Sequence, residues 1–448
     1  MKYLCALLAA MQLVSASGAE TSPGGTKNSV RLTAVILDAY VESMRTNHPA
    51  LRAQFARVGA AGHAAEGVRT WGDPTLAFGG TVSDGARGPA LREDGDLVFE
   101  LEQPLPLFGK ARAARTVAQR EAETETARAT VVFQTLRRDL MKTVITLATQ
   151  EELIALAHED LAWLETALAA ATGQHRAGNG SANAVLKLQT EHARRKDALL
   201  TETRRREQVQ VSLNRQLQRP LHETLPAHAL PEIAPSVPYS SNLVEHALRH
   251  EPTLLVLASE LRAARAQADI ARKSRLPDVG GFVEGRQYSG DGGFREATIG
   301  VKLTLPWFNG RKYRGDLERE RARADAVRFE SENAAQLVHE ELHRLTVELD
   351  AARREALLYR DEILPRAQLM FETLRSQWLN GQVPLAESFD ARREWLEARQ
   401  QSVRAVAAQQ QLLNELALAA GFERAANLEQ FLGKNVSSAI VPATFSTP

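Results

Sequence analysis

The chain is written twice. His48-Pro49-Ala50-Leu51 is answered 203 residues later by Glu251-Pro252-Thr253-Leu254, and Asp73-Pro74 at the same offset by Leu276-Pro277. Gly178 is answered by Gly381, again 203 residues on. Leu105-Pro106-Leu107-Phe108-Gly109-Lys110 is answered by Leu305-Pro306-Trp307-Phe308-Asn309-Gly310-Arg311, with the prolines 200 residues apart. A prior of about 150 residues per domain allows three domains or two larger units in 448 residues. Four anchors in one order point to a duplicated unit, and two copies are too few for a solenoid. The halves are residues 32–219 and 243–421. A Pro-rich linker, 220–242, joins them, and a C-terminal tail, 422–448, follows.

Each half reads as helix, two strands, long helix, sharp turn, helix. In the first half a helix over residues 32–68 precedes a hairpin at 75–103. Leu76, Phe78 and Val82 alternate along its first strand, and Leu97, Phe99 and Leu101 along its second, opposite Val98, Glu100 and Glu102. The turn between them spans residues 83–95. In the second half the hairpin is 279–305, with Ile299, Val301, Leu303 and Leu305 alternating with Thr298, Gly300, Lys302 and Thr304. Strands of about nine amphipathic residues suit either a soluble hairpin over a core or a bilayer-crossing barrel.

The following helices are too long for a compact domain. No proline lies between Pro106 and Pro220, between Pro306 and Pro365, or between Pro384 and Pro442. Residues 112–172 would span about 90 Å as a helix. Ile154, Ala157, Leu161, Leu164, Leu168 and Ala171 form one seam, and Val338, Leu342, Leu345, Leu349, Ala352, Ala356, Tyr359 and Ile363 another, both at coiled-coil spacing. Pro365 should bend or interrupt the second long helix. Turns at 173–181 and 379–384 reverse the direction of each helix.

Four strands cannot close a barrel, since roughly eight are the minimum. Left open in lipid, their edges would cost several kcal/mol per unpaired group. If the strands cross a membrane, several chains share one barrel, and the long helices continue the tube away from it.

Two further features set the compartment. Met1-Lys2-Tyr3, an apolar run from Leu4 to Val14 and the small residues of Ser15-Ala16-Ser17-Gly18-Ala19 have the pattern of a secretory signal peptide, residues 1–19, cleaved after Ala16 or Ala19. A buried first helix is the alternative. Cys5, the only cysteine, lies inside that segment, so no disulfide framework and no Cys-based zinc site exists. The formal net charge is zero, which argues against a polybasic nucleic-acid binder.

On these residues the chain resembles the TolC-like outer-membrane factor family. The match is carried by Asn47-His48-Pro49 and His250-Glu251-Pro252, and by Glu102-Gln103-Pro104-Leu105-Pro106-Leu107-Phe108-Gly109-Lys110 with Leu303-Thr304-Leu305-Pro306-Trp307-Phe308-Asn309-Gly310. The turns Arg176-Ala177-Gly178-Asn179-Gly180-Ser181 and Trp378-Leu379-Asn380-Gly381-Gln382-Val383 carry the rest. The Glu-Gln-Pro to Gly-Lys element resembles the heavy-metal-efflux branch in particular.

The resemblance implies a mostly α fold with a small β part. A long coiled-coil α-helical barrel would reach into the periplasm. Four transmembrane β-strands per chain would be completed as a twelve-stranded barrel in a homotrimer in outer-membrane lipid. It further implies a passive exit duct for metal cations or drugs. Its partners would be a periplasmic adaptor (membrane fusion protein) and an inner-membrane efflux transporter. The adaptor would meet the tip residues Arg176, Gly178, Gly180, Ser181, Asn380 and Gly381. By position after Gly381, Glu387 and Asp390 match acids that narrow the pore, and Trp378 matches an aromatic at the aperture. The first-repeat counterpart of the acids is Ala184, and the neighbouring basic position is Val383, so two of the family's charged gate groups are missing. Rings of Glu387 and Asp390 would favour cations; the same two residues also read as ordinary solvated helix acids.

No cofactor is called for, and no enzyme. His339-Glu340-Glu341-Leu342-His343 has zincin spacing, but it sits in the coiled-coil helix beside Leu342 and Leu345, with no third ligand in view. His246 and His250 read as surface residues. Trp163, Phe389 and Trp395 read as packing groups, and Trp71, Tyr288, Trp307 and Phe308 as either local packing or an aromatic belt. The competing function is a periplasmic coiled-coil scaffold or adaptor, which would carry helical hairpins without the duplication or the four strands.

Overall fold

The computed structural model describes residues 30–68, 71–81, 96–178, 180–288 and 293–439. The signal segment, the hairpin turn at 83–95 and the last nine residues lie outside that set, as do Asn179 and most of the turn after Tyr288.

In chain order the elements are β1 (Val30–Arg31), α1 (Ala34–Asn47), α2 (Pro49–Gly67), β2 (Thr75–Thr81), β3 (Asp96–Leu105), α3 (Lys110–Arg176), α4 (Ala182–Leu217), β4 (His228–Ala229), α5 (Ser241–His250) and α6 (Pro252–Lys273). Then come β5 (Asp278–Tyr288), β6 (Phe294–Thr304), α7 (Gly310–Leu358), α8 (Leu364–Leu379), α9 (Leu385–Ala419) and α10 (Ala425–Ala439). Helix α3, at 67 residues, runs about 100 Å. It packs against α2, α4, α6 and α9, while α7 packs against α6 and α9. Among the described residues no helix is long and apolar enough to cross a membrane.

The single opening helix expected over 32–68 is two helices. A residue before proline is pushed out of the α region, and His48 takes φ −67, ψ 123 ahead of Pro49. Its Nδ1 accepts from the Ala50 N–H at 3.2 Å, capping α2. Glu251 repeats the device before Pro252, its carboxylate accepting from the Leu254 N–H at 2.7 Å.

The interruption expected at Pro365 falls just before it, as a π turn over Tyr359–Ile363 between α7 and α8. Proline lacks the N–H that would bond back one turn, and a widened turn absorbs the mismatch.

The seam through α7 is buried at Leu342, Leu345, Leu349, Ala352 and Ala356. In α3 the buried line runs instead through Leu153, Leu156, Asp160, Leu164, Ala167 and Ala171. Ile154, Ala157, Leu161 and Leu168 sit half-buried at its margin. Helix α3 has neighbours on several sides, so its covered stripe is broader than one coiled-coil edge.

The Pro-rich linker is a packed strap. Val30 and Arg31 pair in parallel with His228 and Ala229, and Leu225, Leu230, Ala234 and Val237 are buried. Helix α3 holds the strap through two carboxylates: Glu151 accepts from the His228 N–H, and Glu152 from the Leu230 N–H at 2.8 Å. The tail is also structured, since α10 buries Leu428 completely and packs Phe431 and Leu432 on the second core. His246 is no free surface residue. It stacks on Phe422 at 4.1 Å between ring centroids, and its Nδ1 lies 2.9 Å from the Ala420 carbonyl.

Candidate functional site: the open sheet and the helical tips

Four strands form one antiparallel sheet in the order β2-β3-β5-β6. Its register sorts the side chains by face. Leu76 pairs with Leu101, Phe78 with Phe99, Leu101 with Val283 and Val283 with Ile299, so one face is apolar from edge to edge. That face is uncovered: Ile299 is 82% exposed and Phe78 70%. The opposite face carries Glu100 across from Glu284, and Glu102 bound to Lys302 at 2.7 Å. Gly300 leaves room there for the Phe282 ring; a Cβ would stand 2.5 Å from the ring unless the ring moved.

Beyond β2 and β6 no strand continues the sheet among the described residues. In water the apolar face would be a large exposed patch. In lipid the two edges would leave backbone groups unpaired. Lipid on one face and further copies at both edges satisfy both demands.

The tips lie at the far ends of the long helices. Gly178 and Gly381 take φ of +80 and +72, the left-handed geometry that ends a helix, with open space around each. Beyond Gly178, Ser181 caps α4 by accepting from the Asn183 N–H at 3.2 Å. Gly180 packs against the His175 backbone, where a Cβ would meet the nitrogen at 2.8 Å. Arg176, Gly178, Ser181, Asn380 and Gly381 are exposed and Gly180 is half-buried. Trp378 is buried in the single chain, at the end of α8, and its carbonyl accepts from the Gly381 N–H at 3.0 Å. Its ring is thus a packing group within the protomer.

Glu387 and Asp390 are exposed one turn apart on the first turns of α9. Asp390 has a neighbour that sequence reasoning passed over, Arg393, at 3.5 Å. The zincin-like histidines stay apart from any metal set: His339 and His343 are exposed, His343 packs edge-on against Tyr239, and no group of three metal-binding side chains occurs among the described residues.

Sequence reasoning also missed a buried ion pair above the tip. Arg392 of α9 is 4% exposed and donates through Nε to Asp160 of α3 at 3.1 Å. Trp163, Phe371 and Trp395 surround its guanidinium at 4.5–5.2 Å. Burial pushes its pKa down, opposed by Asp160. The signal was available: Arg392 stands in phase with Phe389 and Leu396, on a stripe where an arginine is out of place.

Comparison with known proteins decides the family. The sequence profile described as outer membrane efflux protein matches residues 40–217 and 243–422. The chain belongs to that family. It is therefore an outer-membrane efflux protein, mostly helical, with a long periplasmic extension, and the scaffold alternative falls away. No curated protein matches its sequence. Among solved structures it is similar to CusC, with TM-score 0.75 and 16% identity over 91% of this chain and 99% of that one. It is similar to VceC of Vibrio cholerae, with TM-score 0.71 and 17% identity over 87% and 96%. It is also similar to the CmeC outer membrane channel of Campylobacter jejuni, with TM-score 0.73 and 14% identity over 93% and 94%. At these identities the likeness is one of fold.

Proposed function

We propose that three copies of this efflux protein close their sheets into one twelve-stranded barrel. The product is a passive exit duct for substrates delivered by an inner-membrane transporter through a periplasmic adaptor. The carrying observation is the open sheet, with a largely apolar, uncovered face, Glu100, Glu102, Glu284 and Lys302 on the other, and, among the described residues, an unpartnered strand at each edge. Two copies would give eight strands and a bore filled by side chains; three give a water-filled one. The tip residues Arg176, Gly178, Gly180, Ser181, Asn380 and Gly381 are the adaptor's docking surface, and Glu387 and Asp390 line the aperture. The metal-cation or drug identity of the cargo follows from the transporter behind the duct.

Cysteines placed on the two edge strands test the assembly. Ala77 and Thr298 lie on the same sheet face, at opposite edges. Ala77→Cys with Thr298→Cys, oxidised in native membranes, should give a covalent ladder ending at three chains. A ladder ending at two, or a protein released without detergent, would overturn the assembly.

A further inference from the structure

Where β6 hands over to α7, the surface changes character. The apolar face of the sheet continues through Leu303 and Leu305 into Trp307 and Phe308, which is 87% exposed. Immediately on the helix side lies an open pocket of about 650 Å³ between the end of α6 and the start of α7. Phe108, Trp307 and Tyr313 form its apolar wall. Arg272, Lys273, Arg275 and Arg314 supply four cations, and no acidic residue lines it.

Local carboxylates leave that charge largely unbalanced. Arg272 and Lys273 share one, Asp269, at 2.5 and 3.1 Å. Among the described residues Arg275 makes no ion pair, and Arg314 donates only to the Gly310 carbonyl of its own helix, at 3.3 Å. Both are exposed. Aromatic rings beside a lipid-facing strand mark the headgroup level of a bilayer. A basic pocket at that depth attracts an anionic headgroup, and guanidinium groups match phosphate oxygens two at a time.

We propose that this pocket binds the phosphate of an anionic phospholipid in the periplasmic leaflet. Arg275 and Arg314 hold the phosphate, and Trp307 packs on the glycerol and upper acyl chain. A zwitterionic lipid is disfavoured, because no carboxylate in the pocket can receive its ammonium. The inference rests on the sheet lying in lipid and is independent of how many copies close the barrel.

The test uses the full-length protein purified in detergent, stripped of lipid and followed by native mass spectrometry. It is titrated with phosphatidylglycerol, with phosphatidylcholine of the same chains, and with inorganic phosphate. Phosphatidylglycerol should bind at least about tenfold more tightly than phosphatidylcholine, and millimolar phosphate should not displace it. Arg275→Gln with Arg314→Gln should remove that preference, Arg275→Gln alone should weaken it, and Arg404→Gln, on the exposed middle of α9, should leave it intact. Equal binding of the two lipids, or wild-type preference in the double variant, would overturn the proposal. Displacement by phosphate would also overturn it, making the pocket a free-anion site. A protein that needs no detergent would instead sink the membrane reading, before any lipid is added.

Discussion

Arg392 sits where the heptad pattern calls for an apolar side chain, and its charge is matched across the repeat boundary by Asp160. Removing one partner of a buried pair costs about 3–5 kcal/mol, because it strands the other charge, whereas replacing both can be nearly neutral. Asp160 also has Arg195 at 3.6 Å, so losing Arg392 leaves it partly paired. Asp160→Leu should therefore lower the thermal midpoint more than Arg392→Met, and the double variant should recover most of the loss. Equal midpoints for the two single variants would remove this account. His228 gives a pH signature. Burial holds its imidazole below the usual 6.5, so the unfolded chain takes up the proton first as pH falls. Its stabilisation is complete above that value and is lost as pH falls through the folded pKa. His48 and His246 are shifted the same way by burial. Half-buried Glu152 is pushed up from 4.5 by desolvation and acts oppositely, its contribution full below that value and fading above it. Unfolding temperature should fall between about pH 7 and about pH 5, and His228→Gln should flatten that slope, read by calorimetry at each pH.

Helix ends separate glycines that sequence alone cannot rank. Gly381 and Gly421 both end a helix with positive φ, +72 and +78. A methyl group at Gly381 meets open space, so Gly381→Ala costs only the left-handed backbone, about 1–2 kcal/mol. At Gly421 the same methyl would stand 2.6 Å from the His250 carbonyl carbon, where α9 presses on the end of α5. Gly421→Ala should destabilise the protein clearly more, and Gly421→Asn should not rescue it, whereas Gly381→Asn should restore most of the loss at the tip. Thermal melts of the four variants order them; a melt of Gly421→Ala matching that of Gly381→Ala would contradict the close approach. The π turn over Tyr359–Ile363 is another element-level outcome. Pro365 announces that the helix must yield but not how; in the fold it yields as a widened turn that lies against α9.

In the assembled duct each chain would contribute Glu387, Asp390 and Arg393 to one aperture. A ring of three copies carries a net negative charge even after Arg393 offsets Asp390, since an exposed pair at 3.5 Å binds weakly. Glu387→Gln with Asp390→Asn should reduce cation over anion preference in bilayer conductance, and Arg393→Gln should increase it. Unchanged selectivity in both variants would make these ordinary solvated helix acids.

Strand alternation, proline spacing and the heptad seam of α7 were legible in the chain, because each is a local pattern that secondary structure must obey; the seam of α3 was not, because that helix meets several neighbours. The count of four strands per chain, too few to close a barrel alone, was legible as well. What neighbours do was not legible. That the Pro-rich linker is clamped by Glu151 and Glu152, and that buried Arg392 meets Asp160, depend on residues 77 to 232 positions apart in the chain. Periodicity says which face of an element is apolar; only packing says which of several surrounding elements that face will meet.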